Sequence, residues 1–328
     1  MTGRCFTRQA CRFLSALMLL CGSLPTLAAT PAEAIPSVPM SAIKVGEHSY
    51  YVQGQSGIPS AANMGFMSNA GFVVTKDGVV VVDALGTPAL ARKLVLVIRK
   101  ITSQPIRRVL VTHYHADHIY GLQVFKALGA EIWAQRAGAD YLKSDEAKAR
   151  LAQRRKALSP WVDEHTHLVG ADLWLDGDMS FKLGDVKFTL YHVGPAHTQE
   201  DMAIMVENDG VLYSGDTVFR GRIPFIGNAD SRAWLANMNK LLALKPRVLV
   251  PGHGAASKDA AASMIFTRDY LAYLRKTMGR AAEDMMPFDE AYKKTDWSRY
   301  RKLPAFKDTN RANAYNTYLL MEREELKD

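Results

Sequence analysis

Within six residues, His113, His115, Asp117 and His118 bring together three imidazoles and one carboxylate, groups that each bind divalent cations. The run before them, Arg108-Val109-Leu110-Val111, is apolar and β-branched, as expected of a buried parallel strand. The cluster therefore begins where a strand ends. In an extended loop side chains alternate, so His113, His115 and Asp117 can project to one side. His118 then starts a helical pattern with Ile119, Leu122, Val124, Phe125 and Leu128 at three- and four-residue spacings. A single loop histidine is commonly solvated or hydrogen-bonded. Four such groups packed together without a partner would be costly, and metal binding is the chemistry they predict.

The elements that must position this cluster recur along the chain. Strands are expected over residues 48–52, 70–74 and 79–82, with Lys76-Asp77-Gly78 as a hairpin turn. Thr87 caps a helix that starts with Pro88 and runs to about Thr102. Further strands are expected at 131–134, in a hairpin from Phe181 to Val193, at 202–206 and at 211–214; a charged helix is expected over 137–158. Each later hairpin ends in a polar string: Pro195-Ala196-His197-Thr198, Ser214-Gly215-Asp216-Thr217, and, after a helix capped by Asp230 or Ser231, Pro251-Gly252-His253-Gly254. Arg247-Val248-Leu249-Val250 before His253 repeats Arg108-Val109-Leu110-Val111 before His113. Two such halves predict an α/β fold in which two sheets face each other with helices outside. His165, His167 and His192 read as loop or structural residues. The loop from Gly54 to Ser68 carries Met64, Phe66 and Met67, so it is either tucked under the sheet or held over a pocket.

His113-Tyr114-His115-Ala116-Asp117-His118 resembles the HxHxDH signature of the metallo-β-lactamase superfamily, and the strings at 195–198, 214–217 and 251–254 follow in that family's order. The resemblance spans roughly residues 45–260. It implies the αβ/βα four-layer sandwich, with His113, His115 and His197 holding one zinc, Asp117, His118 and His253 holding a second, and Asp216 bridging as in the glyoxalase II type. Asp83 is implied to be a structural acid that fixes the metal loop by hydrogen bonds. A flap over the metals is implied at the 54–68 loop. The donors suit two Zn²⁺, with Fe or Mn also compatible. Two ions ~3.5–4 Å apart can activate a shared water and stabilise the charge that develops on a scissile carbonyl. Asp117, a ligand with a spare oxygen, would orient that water and shuttle its proton. The implied activity is hydrolysis of an ester, thioester or lactam-type amide in a small-molecule substrate. The stretch from Phe219 to Trp234 is also similar to exported members found with sulfur-oxidation or quinoprotein systems. Two alternatives stay open: an iron-dependent sulfur (persulfide) dioxygenase using the first site alone, and a noncatalytic metal-binding partner in a periplasmic redox pathway.

Composition frames these readings. The 328 residues are 48% hydrophobic and 23% charged, ordinary for a globular α/β chain. Arg4, Arg8 and Arg12 lead into the apolar run Phe13 to Leu20, and residues 1–29 read as a signal peptide, followed by a linker over 30–44. The apolar run is shorter than the ~20 residues of a spanning helix and Pro25 interrupts its end, so no stable membrane insertion is expected after cleavage, and the mature protein would be periplasmic or secreted. Cys5, Cys11 and Cys21 all lie in that segment, leaving no thiolate ligand or disulfide afterwards. Cleavage would remove three arginines and no acids, reducing the formal charge from +8 to +5. Without a Lys/Arg block or a basic stripe interleaved with aromatics, no nucleic acid partner is expected. Residues 261–328 read as a C-terminal helical extension whose aromatic stripes pack on the domain or serve a homodimer.

Overall fold

The valines of residues 79–82 show how the layers are built. In the computed structural model, which describes residues 1–3, 36–227 and 229–326, Val79 and Val81 enter a core shared with helices, while Val80 and Val82 enter a core between two sheets. A strand buried on both faces has no polar side to present, hence the unbroken apolar run. The expected signal segment lies, from residue 4 on, outside the described residues.

The first sheet has the order β1 (Ile43–Lys44), β2 (Ser49–Val52), β3 (Ala70–Thr75), β4 (Gly78–Val82), β5 (Ile106–Leu110), β6 (Glu131–Gln135), β7 (Leu173–Leu175). Pairing is antiparallel up to β4 and parallel from β4 to β7. The second sheet comprises β8 (Met179–Leu183), β9 (Val186–His192), β10 (Met202–Val206), β11 (Val211–Tyr213) and β12 (Val248–Val250), antiparallel except for the β11–β12 pair. In β10, Met202, Ile204 and Val206 face the intersheet core, and Ala203 and Met205 face the outer one. This period of two gives the second sheet two buried faces as well.

Helices α1 (Pro88–Arg99), α2 (Ala116–Ile119), α3 (Leu122–Ala127), α4 (Ala137–Lys143) and α5 (Asp145–Ala157) belong to the first half. The second half carries α6 (Ser231–Ala243), α7 (Ala260–Glu283), α8 (Phe288–Lys294) and α9 (Phe306–Glu325). Three apolar cores thus separate four layers, helices–sheet–sheet–helices, as expected. Thr87 Oγ1 caps α1 by accepting from Leu90 N, with Pro88 at its first turn, and Asp230 caps α6.

One expectation needs correction, and two features went unread in the sequence. The helix expected over 137–158 is two helices, because Ser144 takes an extended conformation and its hydroxyl accepts from Ala147 N, a better use of serine than a helix interior. The strands β1 and β7, of two and three residues, were too short to leave a pattern. Packing also begins inside the stretch expected as a linker: Val38 is buried, and Lys93 Nζ donates to the carbonyls of Pro36 and Val38.

The last helices are welded to the second sheet's loops. Tyr270 Oη donates to Asn310, Asn313 Nδ2 donates to Pro224 O and Asn313 Oδ1 accepts from Ile226 N, and Ile223 N donates to Pro304 O. Glu324 accepts from Arg275 at 2.6 Å and Arg232 at 2.8 Å, joining α9 to α7 and α6. Among the described residues no helix is long and apolar enough to cross a membrane.

Candidate metal centre

Parallel strands end at one edge of each sheet, and the loops leaving those ends meet. His113, His115 and Asp117 follow β5, His197 follows β9, Asp216 sits in a 3₁₀ turn after β11, and His253 follows β12. All seven predicted residues converge there. Their donor atoms fall into overlapping groups, His113–His115–His197, His113–His118–Asp216 and Asp117–His118–His253, with the atoms of each group within 4.8 Å of one another.

Hydrogen bonds on the far side of each ring fix which nitrogen faces inward. His253 Nδ1 is 2.8 Å from Met67 O, which can only accept, so Nδ1 carries a proton and Nε2 is the nitrogen turned into the cluster. His118 Nδ1 donates to Asp83 Oδ2 at 2.8 Å, leaving its Nε2 free to face Asp216 Oδ1 at 3.3 Å. Asp83 Oδ2 also accepts from Thr112 Oγ1, so that hydroxyl accepts from His113 Nδ1 and turns His113 Nε2 inward. Asp216 Oδ2 lies 3.2 Å from His253 Nε2, 3.5 Å from His197 Nε2 and 3.9 Å from His113 Nε2, a central place between the groups. His197 Nε2 and His115 Nδ1 approach to 2.8 Å.

A buried polar cluster should satisfy its own hydrogen bonds, yet His113 Nε2, His118 Nε2 and Asp216 Oδ1 have no partner meeting hydrogen-bond geometry. Inward lone pairs without donors are what cations require, and the residues fit a pair of divalent ions. The electrostatics divide the cluster. Burial pushes His115 down to about 3, His197 down to about 4 and His113 well below the ordinary imidazole value, so this trio is neutral. For His118 and His253 burial acts in the same direction, but Asp216, with Asp83 and Asp117 for His118 and Asp117 for His253, outweighs it and raises both. Asp117 and Asp216 are held low, burial being outweighed by His118 and His253.

The loop from Gly54 to Ser68 does both things its composition allowed: Phe66 is buried in the first core, whereas Ile58, Pro59 and Met67 line a cavity of about 360 Å³ with Asp117, Asp216 and His253. Ser68 Oγ donates to Asp117 O at 2.5 Å, and Asn69 Nδ2 donates to Pro251 O and Gly254 O, each at 2.7 Å. A second cavity of about 560 Å³ opens beside His115 and His197 and shares Arg150 and Phe225 with the first. His165 and His167 are exposed, and His192 contacts Gln199 O outside the cluster. Sequence reasoning passed over Arg222, Arg150 and Phe225, whose place at the cavity depends on tertiary packing; Phe219 to Trp234 had stood out only as a resemblance.

Comparison with known proteins agrees with this arrangement. The chain is 24% identical over 257 residues to a linear primary-alkylsulfatase of Pseudomonas sp. (strain ATCC 19151), covering 66% of this chain and 48% of that protein. It is 26% identical over 193 residues to a type 2 metallo-beta-lactamase of Elizabethkingia meningoseptica, covering 57% and 69% respectively. A double mutant of the sec-alkyl sulfatase PisA1 superposes with a TM-score of 0.69 at 17% identity, over 86% of this chain and 50% of that one, so the chain spans about half the length of both sulfatases. The family model for the metallo-beta-lactamase superfamily matches residues 63–253, the segment that holds every residue of the cluster, and the chain belongs to that superfamily.

Proposed function

We propose that the chain is an exported, dinuclear, zinc-dependent hydrolase of a small molecule. The bond cleaved is an ester, thioester or lactam-type amide, and the relatives named as sulfatases add sulfate esters to the panel. The carrying observation is the set of inward ring nitrogens and the Asp216 oxygen left without donors in a buried cluster. In this reading His113, His115 and His197 hold one ion, Asp117, His118 and His253 the other, and Asp216 lies between them. Bound there, two divalent ions would lower the pKa of a shared water and offset negative charge developing on the substrate oxygen. Asp117, the most accessible of the carboxylates, would orient that water and take its proton through its spare oxygen. Asp83 fixes the tautomer of His118, and the Met67 carbonyl fixes that of His253.

Metal analysis of the purified chain, with assays on ester, thioester, β-lactam and alkyl sulfate substrates, tests this reading. Two zinc ions per chain are expected for the wild type and about one for His253→Ala. Asp117→Asn should lower kcat about 10²–10⁴-fold at a matched metal content. Oxygen uptake with a persulfide, iron dependence and indifference to His253→Ala would instead establish the dioxygenase alternative, against which the complete second group weighs. Export is supported by the Arg-flanked apolar N-terminus, and intact mass of periplasmic protein should show that segment removed.

A further inference from the structure

We propose that the cavity over Asp117 and His253 is an anion subsite, in which Arg222, Arg150 and Arg154 hold a fixed oxyanion that the substrate carries away from the bond cleaved. The proposal rests on the hydrolase reading for its substrate, but its three cations stand independently of it.

Arg222 is 3% exposed and forms no ion pair among the described residues. Its Nη1 donates to Gly57 O at 2.8 Å; His253 Nδ1, 3.4 Å away, already donates to Met67 O and offers no lone pair; Nε reaches Ile223 O only at 3.4 Å. Nη2 has no protein acceptor among the described residues. A guanidinium is rarely buried unless paired, because leaving water costs more than isolated neutral contacts return. Arg150 and Arg154 stand one turn apart on α5, where like charges repel. Glu146 approaches Arg150 only to 3.9 Å and is itself largely exposed; the Arg154 side chain has neither hydrogen bond nor ion pair among the described residues. All three arginines line the same cavity, where Asp216, Asp117 and Asp308 all attract Arg222, the first two being also engaged with His118 and His253 and none close enough to Arg222 for an ion pair.

The other walls are Ile58, Pro59, Met67, Phe219 and Phe225. An apolar body ending in a singly charged carboxylate, sulfonate or sulfate suits both, since the guanidinium fork matches paired oxyanion acceptors. The neighbouring cavity has the opposite balance, with Asp140, Glu146 and Glu200 against Arg150 alone. The substrate is thereby oriented, its anionic end beside Arg154.

The test is calorimetric titration of the zinc-loaded full chain with hexane-1-sulfonate and with hexanamide, a neutral counterpart. Arg154→Gln and Arg150→Gln lie on a partly exposed helix and should keep the circular dichroism and zinc content of the wild type. Hexane-1-sulfonate should bind the wild type at least tenfold tighter than hexanamide, each substitution should weaken the sulfonate about tenfold, and rising salt should weaken it further. Hexanamide should be unaffected. Equal sulfonate affinity in the wild type and the Arg150→Gln/Arg154→Gln double variant would place the anion on the metals and overturn the subsite. Arginine-dependent binding by a protein that hydrolyses no substrate of the panel would sustain the subsite while removing the hydrolase reading. If turnover is found, the same variants should raise KM for an ester with a remote carboxylate about tenfold more than KM for the matched neutral ester.

Discussion

Asp83 occupies left-handed backbone (φ 61°) and spends its carboxylate on three donors: Thr112 N, Thr112 Oγ1 and His118 Nδ1. An asparagine tolerates that backbone but must aim an amide N–H at one of these donors, so one hydrogen bond becomes a repulsion. Asp83→Asn should therefore fold, retain the first ion and bind the second about 10–100-fold more weakly, read by stepwise zinc titration. Unchanged affinity for both ions would show that the Asp83–His118 bond does not govern ligation. At this scale much was legible, because His113, His115, Asp117, His118, His197, Asp216 and His253 sit in short strings after strands. Arg222 and Phe225 were not, since an arginine or phenylalanine in a loop is ordinary until packing puts it against a ligand.

Among the elements, α9 shows most plainly what tertiary contacts add. Its helical character was expected from aromatic spacing, but its use as a brace for the loop from Arg222 to Ile226 depends on Asn313 and on the Pro304 carbonyl, residues with no pattern of their own. The expected helix over 137–158 failed at Ser144 for a related reason: its capping hydroxyl competes with helix continuity, and a period-based reading weighs only the latter. Glu324 closes α9 onto α7 and α6, and its carboxylate is held below the ordinary value, first by hydrogen bonding to Arg275. A depressed folded-state pKa contributes stability above the unfolded pKa, and that stability is lost as pH falls through the folded value. Glu324→Gln should thus lower stability by about 1 kcal/mol at pH 7, discounted for partial exposure, with the difference from wild type shrinking below about pH 4. Thermal denaturation of both proteins across that range measures it; a pH-independent difference would assign the effect to packing.

For the whole molecule, the cluster is a seam between two halves. Its side chains come from loops after β5 in one sheet and after β9, β11 and β12 in the other, and the apo form must hold Asp216 and four imidazoles buried beside the half-buried His115 and Asp117. Ions that bind only the folded chain stabilise it in proportion to the logarithm of their concentration over Kd. Chelation should therefore lower Tm by several degrees, and zinc should restore it in two steps, the first of which His253→Ala retains. A Tm insensitive to chelator would mean that the seam is held by its cores alone. The loop from Gly54 to Ser68 gives this seam a further property. Its base is bonded to the second group and the loop of His253 at three points, Met67 O to His253, Ser68 Oγ to Asp117 O and Asn69 to the carbonyls of Pro251 and Gly254, whereas its tip touches no member of the cluster: Ile58 and Pro59 border the cavity, and Gly57 O accepts from Arg222. Variation is therefore partitioned along one loop: exchanges at the tip can retune what the cavity accepts, while exchanges at the base alter the candidate metal centre. A chain divided in this way can change substrates without rebuilding its chemistry.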